Sequence, residues 1–161
     1  MSSLAVPSHI PIPVDDGACD HLLGSWFPSL DLPTTSGKTI NLVNDPNALT
    51  IVFCYPRTAA PDEDIPEEWN AIPGARGCTP QACSFRNLLS ELKAEGVQEL
   101  YGLSTQTIEY QQEMAKRLHL PYDIISDDKL DFIRALKLPT HDWKGNTLVK
   151  RITLAVSFGK I

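Results

Sequence analysis

No run in this chain is apolar over the ~20 residues needed to cross a bilayer. Its N-terminal segment has neither a basic leader nor a long apolar core, so it is not read as a signal peptide, and it carries too much proline and acid for a transit peptide. Basic charge is scarce: 14 Lys and Arg against 20 Asp and Glu leave a net charge of −6. That balance argues against a nucleic-acid partner or an anionic membrane surface. Cysteine is sparse too. Cys19, Cys54, Cys78 and Cys83 do not make a disulfide scaffold in 161 residues. A reducing compartment is therefore expected, the cytoplasm or, in a eukaryote, also the nucleus. There is no Cys-x-x-Cys pair, which counts against a disulfide reductase. Zinc at Cys78 and Cys83 is poorly served, because four residues intervene and no second ligand pair follows.

What is present fits one domain with a core. Apolar residues make up 42% and charged residues 21%, as in ordinary globular proteins. Residues 1–20 are proline-bearing, lack periodicity and read as an arm, with the domain over 21–161. Ser36-Gly37-Lys38 is a turn signal between two short extended segments, an expected hairpin. Residues 48–55 form a continuous apolar, β-branched run, the signature of a strand buried on both faces, and Pro56 ends it. Cys54 inside that run reads as a small buried hydrophobe, and Cys19, among acids, as exposed.

A long acidic connection, residues 57–77, follows, with Trp69 and Ile72 as its anchors. The spacing predicts a helix from Thr79 with Pro80 in its first turn and Gly96 as its stop. Ala82, Phe85, Leu89 and Leu92 form its apolar stripe, which Cys78 extends by one turn. Downstream, residues 97–104 and 122–127 read as strands, 107–120 and 129–138 as helices, and 146–161 as one long extended run. His141, in the segment after Pro139, is expected in a solvated turn rather than as a base, and His119 at a helix end needs no catalytic role. Alternation of this kind predicts an α/β protein with a mainly parallel sheet covered by helices. Gly159 sits in a turn context with no strand or closing helix after it, so either one face of the sheet is expected to be poorly covered or the sequence is expected to be a fragment.

The chemistry concentrates at Cys78. A free thiol, with a pKa of about 8.5, is only a few per cent ionised at neutral pH. A helix N-terminus favours the thiolate through its unpaired N–H groups. So do arginines, of which Arg76 and Arg86 are near in sequence and Arg151 can arrive from the last strand. Such a thiol can attack a peroxide, and the resulting sulfenic acid condenses with a second thiol. Cys83 is the natural partner, under one condition. Five helical residues separate Cα atoms by roughly 9 Å, whereas a disulfide tolerates about 4.4–6.8 Å. The first turns must therefore unwind before the bond can close.

Tyr55-Pro56, the run from Gly77 to Arg86 and the run from Lys150 to Ile161 resemble the peroxiredoxins of the AhpC/TSA superfamily, and among them the bacterioferritin-comigratory or Q-type subfamily. The resemblance covers residues from about 25 to 161 and implies a thioredoxin-like fold: a mainly parallel central sheet flanked by helices, with an N-terminal hairpin. It implies reduction of hydrogen peroxide and organic hydroperoxides without metal or organic cofactor, recycling by thioredoxin or glutaredoxin, and a monomer or weak dimer. By position, Cys78 is similar to the peroxidatic cysteine, Cys83 to the resolving one, Arg151 to the substrate-positioning arginine and Pro56 to the proline that shields the pocket. The family runs more directly from that proline to a threonine and the cysteine. Here residues 57–77 intervene and Ala75 stands at the threonine position, so Thr58 is the candidate hydroxyl and Thr79 the poorer one. Gln81 replaces a common glutamate, and the family's C-terminal strand and helix do not appear. The competing expectation is a redox-sensing or chaperone-like interaction protein in which oxidation of Cys78 exposes a binding surface.

Overall fold

The computed structural model describes residues 8–44 and 48–161. In chain order its elements are β1 (Leu32–Pro33), β2 (Thr39–Ile40), β3 (Thr50–Cys54), α1 (Glu67–Asn70), α2 (Cys78–Asn87), α3 (Leu89–Ala94), β4 (Glu99–Ser104), α4 (Ile108–Arg117), β5 (Ile124–Ser126), α5 (Asp131–Leu136), β6 (Thr140–Trp143), β7 (Asn146–Val149) and β8 (Ile152–Val156). The expected hairpin forms, with Leu32 opposite Ile40. The central sheet has the order β5-β4-β3-β8, in which β3, β4 and β5 are parallel and β8 runs antiparallel on the edge.

The apolar run of β3 makes it an inner strand, and its period of two splits the core. Val52 and Cys54 face one side with Leu103, Leu154 and Val156, covered by Leu22 and Phe27 of the N-terminal segment and by Phe132 of α5. Phe53 and Tyr55 face the other, covered by Cys78 and Ala82 of α2, Met114 of α4 and Tyr122. Each such buried apolar side chain contributes about 1.5–3 kcal/mol of transfer free energy. Phe53 stacks on Phe85 with ring centroids 4.3 Å apart. Gly102 makes room for this: a Cβ there would lie 2.8 Å from the Phe53 ring and 2.6 Å from Ile124 Cδ1.

Four features depart from the sequence reading. Residues 140–149 form a hairpin instead of a solvated turn leading into one extended run. Lys144 and Gly145 both have positive φ, 47° and 81°, the geometry of a type I′ turn. The predicted helix over 79–95 is interrupted at Leu88, whose backbone leaves helical values at φ −96°, ψ 5°. The long acidic connection contains α1, which Trp69 anchors at 5% exposure. Cys19 is half-buried rather than exposed and packs against the first core cluster.

The chain's last residues turn tightly at Phe158-Gly159 (φ 52° and 73°). Lys160 then pairs with Trp26, and Ile161 N–H donates to the Ser25 carbonyl at 3.0 Å. Along β8, Leu154 and Val156 are buried whereas Thr153 and Ala155, on the α2 side of the sheet, are exposed. The exposure on this side is confined to the edge strand, because Phe53 and Leu100 on the same face of β3 and β4 are buried against α2 and α4.

Candidate active site

Gly77 opens α2. Its φ of 103° is one that only glycine adopts without strain, and its carbonyl accepts the Gln81 N–H at 3.0 Å. Cys78 is therefore the first helical residue, 4% exposed, with its sulfur at the positive end of a ten-residue helix. Arg151 lies in the break between β7 and β8, and its Nη2 donates to Cys78 Sγ at 3.1 Å.

The rest of that guanidinium is pinned. Nε donates to the Gly74 carbonyl at 3.1 Å, Nη2 also to the Arg76 carbonyl at 3.2 Å and the Ala75 carbonyl at 3.4 Å, and Nη1 to Gln81 Oε1. All of these acceptors are neutral. Among the described residues its charge is shared with no carboxylate, and it faces the sulfur. The helix N-terminus and this guanidinium act in the same direction, stabilising negative charge on Sγ or on an oxygen bonded to it.

Cys78 forms part of the wall of a cavity of about 400 Å³. Thr58 and Thr79 both line it, and Ala75, which does as well, brings no hydroxyl. Thr58 is 2% exposed. Its N–H donates to Gln106 Oε1 at 2.9 Å, and Gln106 Nε2 returns a bond to the Thr58 carbonyl at 3.0 Å. Pro56 is buried where the chain bends after β3, and it is not a wall residue. The apolar wall comes instead from the connection after it, through Pro61, Ile65, Pro66 and Trp69.

That connection is tied down at its base. Arg57 Nη2 pairs with Glu63 at 2.5 Å, and Tyr110 Oη donates to the same carboxylate at 2.8 Å. Burial opposes the Glu63 charge, but the bonds from Arg57, Tyr110 and the Ala60 N–H outweigh it and hold the carboxyl below its usual range. Arg57 also lies 5.8 Å from the Trp69 ring, which meets Trp143 of β6 edge-on at 5.1 Å.

Cys83 is buried on the same helix, 4% exposed, and all four cysteines are unbridged. With α2 intact, the two sulfur-bearing residues keep their roughly 9 Å helical separation. Arg76 lines the cavity and donates from Nη1 to Asn70 Oδ1 at 3.0 Å. Arg86 does not reach Cys78: eight residues along a helix is about 12 Å, and its Nη1 donates to the Leu118 carbonyl at 2.6 Å instead. His141 lies outside the cavity, its ring 5.9 Å from that of Trp69. Burial, then Lys150, pushes its pKa down.

Sequence reasoning missed Gln106 and the Arg57–Glu63–Tyr110 cluster. Gln106 was open to inference, because it follows the carboxyl end of a parallel strand, where sites gather in α/β sheets. Arg57 and Glu63 are six positions apart within the connection, but Tyr110 joins them from 47 positions beyond Glu63, which leaves no local signal for the cluster.

The redoxin family profile matches residues 22–161. The chain belongs to the redoxin family. Peroxiredoxin bcp1 of Schizosaccharomyces pombe is 28% identical over 135 residues, 82% of this chain and 61% of that one. Peroxiredoxin Bcp of Escherichia coli is 30% identical over 105 residues, 65% of this chain and 57% of its own length. The crystal structure of peroxidoxin BcpB from Mycobacterium tuberculosis superposes with a TM-score of 0.68 at 22% identity, over 86% of this chain and 80% of that one. Peroxiredoxin Q of Xanthomonas campestris gives 0.64 at 17% identity, over 96% and 85%. The fold is thioredoxin-like, and within the family the likeness is to the bacterioferritin-comigratory or Q-type peroxiredoxins. The chain spans about 57–61% of the length of these curated relatives.

Proposed function

We propose that this chain carries the active centre of a thiol peroxidase, with Cys78 as nucleophile and Cys83 as resolving thiol. One observation supports this above the others: the Arg151 guanidinium lies 3.1 Å from a thiol that begins a helix and faces a cavity. A relative from Xanthomonas campestris is described in terms of alkyl peroxide reduction.

In this reading the Cys78 thiolate attacks the distal oxygen of a hydroperoxide. An S–O bond forms, the O–O bond breaks, and the departing alkoxide takes up a proton to leave as an alcohol, or as water from hydrogen peroxide. Arg151 stabilises the charge passing to the leaving oxygen, and Thr58 offers a hydroxyl from the cavity wall. Cys83 then attacks the sulfenic sulfur, forming the disulfide and releasing water. A dithiol protein of the thioredoxin or glutaredoxin kind returns both thiols by exchange. The protein works as a monomer or weak dimer in a reducing compartment.

Peroxide consumption by the reduced chain with a dithiol reductant tests the activity. Turnover that disappears in Cys78→Ser is the expected result, and turnover retained by that variant contradicts the assignment.

The exposed β8 face, with Trp26 and Phe158 also exposed at 69% and 68%, supports the second reading, a redox-responsive interaction protein. Partner binding that changes on oxidation, without any peroxide turnover, would decide for it.

A further inference from the structure

Closing a bond between Cys78 and Cys83 requires α2 to open, so whatever holds α2 shut governs that step. Two buried or half-buried contacts tie the helix to the segment between α4 and β5. Arg86 Nη1 donates to the Leu118 carbonyl, and Tyr122 Oη donates to the Ala82 carbonyl, each at 2.6 Å. The second falls inside the stretch that must rearrange, on the residue immediately before Cys83. Within the helix the Ala82 carbonyl is already the acceptor for the Arg86 N–H. The phenol is therefore an additional donor, not the partner of an otherwise orphaned group.

Tyr122 is only 9% exposed, and its ring meets Phe53 edge-on at 5.7 Å. Burial raises its pKa, so the hydroxyl stays protonated and able to donate at any working pH. It is not a wall residue of the cavity that Cys78 faces, so it does not touch a peroxide there.

We infer that Tyr122 is a positioning residue that latches the second turn of α2 through the Ala82 carbonyl and thereby sets how fast the disulfide can close. The inference rests on the reading of Cys78 and Cys83 as a reacting pair. A latched helix keeps the two sulfurs apart and prolongs the life of the sulfenic acid. A long-lived sulfenic acid meets a second peroxide more often, and that encounter oxidises it to sulfinic acid with release of alcohol or water. The latch thus trades closure rate against overoxidation.

Tyr122→Phe removes the hydroxyl and keeps the ring. The loss of one neutral hydrogen bond corresponds to about a fivefold shift in the opening equilibrium. In single-turnover reactions of the whole chain with hydrogen peroxide, sampled by mass spectrometry, the variant should form the disulfide about five times faster. Its first oxidation should proceed at the unchanged rate, and its sulfinic fraction should fall. Amide exchange of the reduced protein should speed up within residues 78–87 and nowhere else. Closure and exchange both unchanged in Tyr122→Phe overturn the latch. Exchange that accelerates across the whole chain also overturns it, because the hydroxyl is then merely stabilising the fold. Should neither protein form a sulfenic acid, the peroxidase reading fails, while the exchange of α2 still decides the latch.

Discussion

Arg151 is the residue on which the proposed chemistry turns, since it alone among the arginines near α2 reaches the Cys78 sulfur. Replacing it with methionine keeps the bulk and removes the donors, so oxidation of Cys78 by peroxide should slow by about 10²–10³, the usual cost of losing one transition-state donor. Rapid-mixing measurements of that step check it, and a change of less than threefold would show that the contact is incidental. Gln81 has a related part, holding Nη1 through a neutral oxygen. The threonines can be separated in the same assay: Thr58→Val should slow oxidation by about five- to tenfold, one hydrogen bond's worth, and Thr79→Val should leave it nearly unchanged. The reverse pattern would move the hydroxyl role to Thr79. The helix-start position of Cys78 was legible from Gly77, Thr79 and Pro80. The five contacts of Arg151 were not, because they depend on where a break between two strands delivers a side chain from 73 positions away.

Among the elements, the connection between β3 and α2 is the most distinctive. It walls the cavity with apolar residues and is anchored by Trp69 against the β6–β7 hairpin. Trp69→Ala should cost about 3 kcal/mol, as other large-to-small aromatic substitutions do, and should leave residues 57–77 open to limited proteolysis. A variant as resistant as the parent would show that the anchor lies elsewhere. The hairpin itself carries a pH dependence through His141. Burial and Lys150 lower its folded-state pKa below the unfolded value, so between the two values the unfolded chain binds more protons. Stability contributed here is present above about pH 6.5 and declines as pH falls toward the folded-state pKa. Thermal melts from pH 7 to 5 should therefore fall more steeply in the parent than in His141→Gln; parallel curves would contradict this. The strands β3, β4 and β5 were readable because each is a short apolar run bounded by breakers. The β6–β7 hairpin was not, because its turn is Lys144-Gly145 with a positive φ at a lysine, and His141 and Asp142 made the segment look solvated. Interruption of the predicted helix at Leu88 likewise follows from backbone values that no apolar stripe encodes.

At the level of the whole molecule, the parallel strands present their carboxyl ends to one region, and the site assembles there from the ends of β3, β4 and β7 and the start of α2. The polar stitching behind it is just as specific. Gln111, completely buried, donates to Ser104 Oγ at 2.9 Å and to the Ile125 carbonyl at 3.0 Å, joining α4 to the ends of β4 and β5. Gln111→Leu keeps the volume but removes the amide donor that ties α4 to Ser104 Oγ and the Ile125 carbonyl, costing about 1–3 kcal/mol; an unchanged denaturation midpoint would show that these bonds add nothing to stability. The layered architecture was legible from alternation alone, whereas a glutamine in the core reads from sequence as a surface residue.

In the proposed reaction one sulfur at a helix mouth reacts with peroxide and a second, one turn and a half away, closes onto it when the helix opens. Treating the reduced chain with one equivalent of hydrogen peroxide and mapping its cysteines by peptide mass spectrometry tests this most directly. A bond between Cys78 and Cys83 is the predicted product. A bond to Cys19 or Cys54, or no oxidation of Cys78 at all, would contradict it.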